Sequence, residues 1–241
     1  MAGFHWDDEH LAAELPHGAR ALFSTRRGGL SEGPFASLNL GRTTDDPAGD
    51  DPAAIAANRA RLAAASAGEG SALRIAPQVH ATAIATDDEP LAEADGQVTW
   101  TPGVAATVLV ADCLPVAIVG PGGVAMLHAG WRGLAGGILR LGAERLAARR
   151  PGPLQAAVGP GIGVCCFEVG DEVRDAFAEH AGARRGRHLD LAAIARRQLL
   201  DAGVAGVEVC GLCTACEPAL FFSHRRDGGT TGRQAGVAWL S

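Results

Sequence analysis

The chain of 241 residues has no lysine and no tyrosine, and all 21 of its non-histidine basic residues are arginine. Without an amine nucleophile, Schiff-base enzymes, pyridoxal-phosphate enzymes and the Walker A phosphate loop are excluded, because a guanidinium stays protonated. Without a phenol, acid, base and nucleophile are left to Asp, Glu, His, Cys, Ser, Thr or a metal. A basic footprint is also missing. The formal charge is -6 and the arginines occur singly or in pairs, so nucleic acid is not expected as a partner. Nor is there an apolar run of the roughly 20 residues that a membrane span requires, and Asp7, Asp8 and Glu9 stand where a secretory leader would be positive. These features predict a cytoplasmic protein without membrane contact, and six cysteines in that setting read as thiols rather than disulfides.

What is present suits a packed globule: 47% hydrophobic and 20% charged residues. Residues 43–52 read as a surface loop, Asp51-Pro52 as the opening of a helix to about residue 65, and residues 66–71 as another loop. Apolar runs at 107–110, 116–119 and 124–127 predict buried strands, the last two forming a hairpin around Gly120-Pro121-Gly122-Gly123. Helices are predicted at 134–149, 171–180 and 190–202, the last capped by Asp190 with Leu191, Ile194, Ala195, Leu199 and Ala202 on its apolar face. Strands are predicted at 154–158 and 207–209. Helices interleave with strands and composition never shifts, so the expectation is an α/β fold, a single compact domain over residues 1–241 with mixed β-sheets flanked by helices.

Three borderline ligands stand near the ends of predicted strands: His80, Cys113 and His128. Three protein ligands with a fourth position left free is the arrangement of catalytic zinc, and a Cys/His mixture suits that ion. They match no short zinc motif, and two core-edge histidines with a buried thiol remain the structural alternative.

A resemblance bears on that choice. Residues 23–31 (FSTRRGGLS), 37–41 (SLNLG), 78–80 (QVH), 111–113 (ADC), 128–133 (HAGWRG), 159–163 (GPGIG) followed by 165–169 (CCFEV), and 221–228 (FFSHRRDG) together resemble the bacterial laccase-domain family, usually described as purine nucleoside phosphorylases. The segments run in order across nearly the whole chain. The resemblance implies a zinc centre at His80, Cys113 and His128, phosphorolysis of adenosine, inosine, guanosine and methylthioadenosine, deamination of adenosine, and mixed sheets flanked by helices. The family's older description as a copper-dependent polyphenol oxidase fits less well. Blue-copper laccases pair many histidines as His-x-His, whereas this chain has eight histidines and no such pair.

Phosphorolysis needs a dianion held beside the ribose, for which Ser24, Arg26 and the backbone of Gly28 and Gly29 are the candidate cradle, joined by Arg59. A strand followed by a glycine turn is the structural alternative. Asn39 and Asp95 are candidate substrate contacts or turn-forming residues. Asp112, beside Cys113, is a candidate for proton handling or for orienting a ligand. Cys210, Cys213 and Cys216 repeat a C-x-x-C spacing, but a fourth ligand would have to come from Cys165 or Cys166. Packed thiols are expected there, and the resemblance supports only Cys213-Thr214 as a family position. The remaining histidines are expected at the surface, His224 being the ambiguous one. Expected partners are purine nucleosides and phosphate, with a monomer or weak homodimer. A zinc hydrolase or editing enzyme acting on a cell-wall precursor, and a non-enzymatic member of a wall-synthesis assembly, are the competing readings.

Overall fold

Strands β8 (Leu114–Gly120) and β9 (Gly123–Ala129) form the expected hairpin, and both are buried along their whole length. Alternate side chains of a strand face opposite layers. Val116, Ile118, Ala125 and Leu127 therefore pack toward helices, while Ala117, Val119, Val124 and Met126 pack against a second sheet. The structure, a computed structural model, describes residues 3–41, 49–66 and 72–241.

Numbered in chain order, the first sheet runs β1 (Phe4–Asp7), β2 (His10–Glu14), β3 (Ala19–Phe23), β14 (Gln234–Leu240), β7 (Val104–Val110) and β4 (Ala72–Ile75). The second runs β13 (Val204–Val209), β10 (Leu154–Val158), β8, β9, β6 (Gly96–Thr99) and β5 (Ile84–Thr86). Each mixes parallel and antiparallel pairs: β4 lies parallel to β7 in the first, and β10 lies parallel to β13 and β5 parallel to β6 in the second, the remaining ladders being antiparallel. A short ribbon joins β11 (Arg184–Arg185) to β12 (His188–Leu189).

The two sheets close on Ala13, Ala21, Ala106, Ala117, Ala157 and Ala238, small residues that allow near contact. The far face of the first sheet is covered by Leu38, Leu40 and Leu62, the last on helix α1 (Pro52–Ser66). The far face of the second is covered by α3 (Ile138–Arg149) and α5 (Leu191–Asp201), which bury Ile138, Leu139, Leu146, Ile194 and Leu199. Each such side chain contributes about 1.5–3 kcal/mol before conformational entropy is subtracted. The predicted fold class, mixed sheets flanked by helices, is the one observed.

Several boundaries differ. The helix expected over 134–149 is two: α2 (Trp131–Ala135) holds Leu134, and Gly137 at φ 81 turns left-handed before α3 begins. A left-handed residue cannot continue a right-handed helix, and glycine adopts it without a Cβ clash. The helix expected to reach residue 180 stops earlier, as α4 (Asp171–Ala176). Asp190 caps α5 as expected, its carboxylate accepting from the Ala193 N–H at 2.9 Å. Most of the loop expected at 43–52, and nearly all of that at 66–71, lies outside the described residues. Among the described residues no helix is long and apolar enough to cross a membrane.

The chain passes from the first sheet to the second twice in a way that matters for function. One crossing joins β4 to β5 and carries His80; the other joins β7 to β8 and carries Cys113.

Candidate metal centre

At those crossings a nitrogen of His80, the sulfur of Cys113 and a nitrogen of His128 lie within 4.8 Å of one another. The histidine rings meet edge to face with centroids 4.8 Å apart. His128 sits on β9 opposite Pro115 of β8, so its place is set by sheet register. His80 is not at a strand end, as its flanking sequence suggested, but in a loop with φ 58, a left-handed conformation that is uncommon outside glycine.

Asp95, immediately before β6, explains both geometries. Its fully buried carboxylate accepts from the backbone N–H of His80 at 2.9 Å, of Ala81 at 2.8 Å and of Val79 at 3.2 Å, wrapping the loop around one anion. The same carboxylate accepts from Nδ1 of His128 at 2.8 Å, which leaves Nε2 to face Cys113 and His80. Burial opposes ionisation, yet the hydrogen bonds from His128 and from the Ala81 and Val79 N–H groups hold Asp95 below the usual carboxylate range. Asp95 is thus the residue that orients two ligands, a role its Asx context in the sequence did not distinguish from a turn former.

The electrostatics favour the deprotonated thiol that metal binding needs. Burial works against it, but hydrogen bonds from His128 and His80, and the charge of His128, bring Cys113 down from 9.0 to about 6. Burial likewise disfavours the His128 cation, which hydrogen bonds to Asp95 and Cys113 nevertheless raise from 6.5 to about 9. In the metal-free protein between these limits, folding moves a proton from Cys113 to His128 and releases none. The Cys113 share of stability falls away as pH drops from 9.0 toward about 6, and the His128 share falls away as pH rises from 6.5 toward about 9, so the two offset one another and the pair's sum stays level across that range. Iodoacetamide should accordingly alkylate metal-free Cys113 with a half-maximal rate near pH 6, while Cys210, which burial pushes up to about 11, stays unreactive at that pH. Peptide mapping after pulsed labelling across pH reads both.

Room for the sulfur comes from Gly130. A Cβ there would lie 2.8 Å from Cys113 Sγ and 3.7 Å from His80 Cδ2. Gly130→Ala is expected to weaken metal binding at the triad by about tenfold or more while leaving the fold intact. Competition against a chelating dye would measure it, and unchanged affinity would refute this role for Gly130.

The triad opens into a cavity of about 800 Å³ whose walls include Arg59, Arg225, Arg233 and Phe167, with the exposed His224 at its rim. Asp112, at φ 89, lies on the same wall. Its two carboxylate oxygens accept from Thr214 Oγ1 at 2.7 Å and from the Arg225 N–H at 2.7 Å. Those bonds make it a brace for the 224–225 wall.

The residues expected to cradle phosphate are placed differently. Ser24 is buried, its hydroxyl accepting from the Ala235 N–H. Arg26 donates to the carbonyls of Ala36 and Pro218 and covers the Phe222 ring. The Gly29 N–H donates to Ser37 Oγ, and Gly28 lines a separate cavity of about 270 Å³ beside Asp7, Asp8 and Glu9, whose charge opposes an anion. Asn39 donates to Asp50 and to the Gly41 carbonyl, and accepts from the Gly41 and Arg233 N–H groups. These contacts pin the loop after β3, and none of the five residues lines the triad's cavity. Arg59 does, with Nε donating to the Leu40 carbonyl at 2.8 Å. Arg225 and Arg233, a short way along the sequence from one another, complete the positive wall; their recurrence in an FFSHRRDG-to-Arg233 stretch was the available signal.

The thiols expected to be packed are partly exposed: Cys165 and Cys216 face solvent, while Cys166 and Cys213 are half-buried. The four sulfurs converge.

The multi-copper polyphenol oxidoreductase laccase family matches this chain over residues 20–241. Purine nucleoside phosphorylase PA4543 of Pseudomonas aeruginosa is 43% identical over 239 residues, covering 93% of this chain and 95% of that protein. Purine nucleoside phosphorylase YfiH of Escherichia coli is 40% identical over 240 residues, with coverage of 93% and 95%. The crystal structure of YlmD from Geobacillus stearothermophilus matches with a TM-score of 0.86 at 36% identity and covers 98% of each chain.

Proposed function

Because the chain belongs to the multi-copper polyphenol oxidoreductase laccase family, we propose that it catalyses the reaction for which its relatives are named, phosphorolysis of purine nucleosides, at the His80, Cys113 and His128 site. The observation that carries this reading is the joining, in one cavity, of a two-imidazole, one-thiolate ligand set to a wall of arginines. That donor set fits zinc, with a position left open toward the cavity; zinc held there would supply Lewis-acid polarisation of the purine. Copper oxidation of phenols is the weaker reading, since eight histidines without a His-x-His pair do not assemble a multi-copper cluster.

The chain's own residues do the rest. Arg59 and Arg233 hold the phosphate dianion by charge-assisted hydrogen bonds, and Arg225, stacked 5.3 Å over Phe167, adds positive field beside an apolar face for the base. A phosphate oxygen adds to C1′ as the bond from C1′ to N9 breaks. The proton given up by the new phosphate ester is the one the departing purine gains, and His224 at the rim is the residue we assign to relay it. Asp95 keeps His80 and His128 aimed, and Asp112 keeps the arginine wall in place. Adenosine, inosine, guanosine and methylthioadenosine are the substrates of this reading. Deamination of adenosine, with water replacing the amino group and ammonia leaving, is its second activity. Its setting is the cytoplasm, in keeping with six free thiols.

Zinc-loaded protein incubated with inosine and phosphate should release hypoxanthine and ribose 1-phosphate in equal amounts, and omission of phosphate should stop the reaction. Absence of base release, or formation of free ribose without phosphate, would overturn the proposal.

A further inference from the structure

Away from the His80 cavity, two turns bring four cysteines to one point. Cys165 and Cys166 lie in the turn after Gly163, and Cys213 and Cys216 in the turn after β13. In a strand, neighbouring side chains such as Cys165 and Cys166 would point to opposite faces; in this turn they point together. All four Sγ atoms lie within 4.8 Å of one another, with Cys165 and Cys166 each 3.4 Å from Cys216. A disulfide would require about 2.05 Å between sulfurs. Four thiolates arranged tetrahedrally at the usual zinc-sulfur distance of about 2.3 Å stand about 3.8 Å apart, close to the spacing observed.

The backbone around the cluster is organised for it. The Gly163 N–H donates to Cys213 Sγ at 3.1 Å, the Cys216 N–H donates to the Cys213 carbonyl at 3.2 Å, and Gly161 forms a parallel bridge with Cys213. A Cβ at Gly163 would lie 3.2 Å from Cys165 Sγ and 3.3 Å from Cys213 Sγ, inside the space where the sulfurs gather.

We propose that Cys165, Cys166, Cys213 and Cys216 bind one zinc ion as a closed tetrathiolate staple, separate from the His80, Cys113 and His128 site. Four soft donors without an open position form a structural rather than a catalytic zinc site. The staple joins two segments that both reach the cavity: Ile162 and Phe167 line it, and Thr214 donates to the Asp112 brace. Its metal ties the cavity wall together and takes no part in chemistry.

The test is metal stoichiometry on the full chain expressed with zinc, measured by plasma mass spectrometry and native mass spectrometry. Wild type should carry two zinc ions, Cys113→Ala one, Cys216→Ser one, and the Cys113→Ala/Cys216→Ser double variant none. Cys216 is exposed, so its serine variant should remain folded; circular dichroism checks this. If it does not, the Cys113→Ala protein answers alone: replacing its zinc with cobalt should give the intense charge-transfer and red-shifted d–d bands of a tetrathiolate. In the same protein, zinc should shield four thiols from alkylation until a chelator strips it. Zero zinc in Cys113→Ala, a second zinc that survives in Cys216→Ser, iron in place of zinc, or a disulfide between Cys216 and Cys165 or Cys166 in the freshly purified chain would each overturn the proposal.

Discussion

Cys113→Ala is expected to lower kcat/KM for inosine at saturating phosphate by about a thousandfold or more, on the order of 4 kcal/mol of transition-state stabilisation, and to remove one zinc ion. Cys113 is the single anionic donor of its triad, and the structure holds its thiol down to about 6, so that it binds metal as thiolate at neutral pH. Alanine leaves two imidazoles, and one of these, His128, loses the partner that helped raise it to about 9. Cys113→Ser separates ligation from packing. The hydroxyl nearly preserves size but is a poor zinc ligand, so it should lose activity and metal almost as fully as alanine. Kinetics, metal content and thermal unfolding measured on the same preparations distinguish the cases. Retention of activity to within tenfold after loss of that zinc would sink the assignment of this site.

How far the sequence alone could be read depended on the range over which each feature is determined. The β8 and β9 hairpin and helix α5 are set by local pattern: continuous apolar runs around a glycine turn, and an Asp190 cap ahead of an apolar face. Both were legible. Strand β14 was not read, although it sits mid-sheet between β3 and β7, because its pairings join residues more than a hundred positions apart. The triad could be named from the resemblance, but its geometry could not. His80 turns left-handed because of Asp95, 15 residues later, and no spacing rule connects the two.

The phosphate cradle shows the same limit from the opposite side. Arg26 carries the residue type that binds phosphate, but its guanidinium reaches the Pro218 carbonyl, 192 positions away, and is used in holding a loop. Likewise Cys165 and Cys166 meet Cys216 across 51 and 50 positions: the C-x-x-C spacing pointed to Cys213 and Cys216, but that both Cys165 and Cys166 join them, and Cys210 does not, is decided by the fold. Local chemistry identifies donors; only the fold decides whether they face a ligand or a carbonyl.

Asp95→Asn should have the second large effect, and it separates positioning from ligation. The native carboxylate accepts from three backbone N–H groups and from His128 Nδ1, with both oxygens in use. An amide of the same shape keeps one oxygen and presents an NH2 group to the other donors, leaving at least one buried N–H without an acceptor. Each such loss costs about 1–3 kcal/mol, so a stability decrease on the order of 3 kcal/mol in urea is expected. With His128 no longer held by an anion, zinc affinity should fall roughly 10–100-fold, and the His128 pKa should drop from its value of about 9 in the metal-free protein, as read by NMR. All three ligands remain in Asp95→Asn, so excess zinc should restore much of kcat, which it cannot do for Cys113→Ala. If zinc affinity and the His128 titration are both unchanged, Asp95 does not orient the ligands and serves only to close its loop.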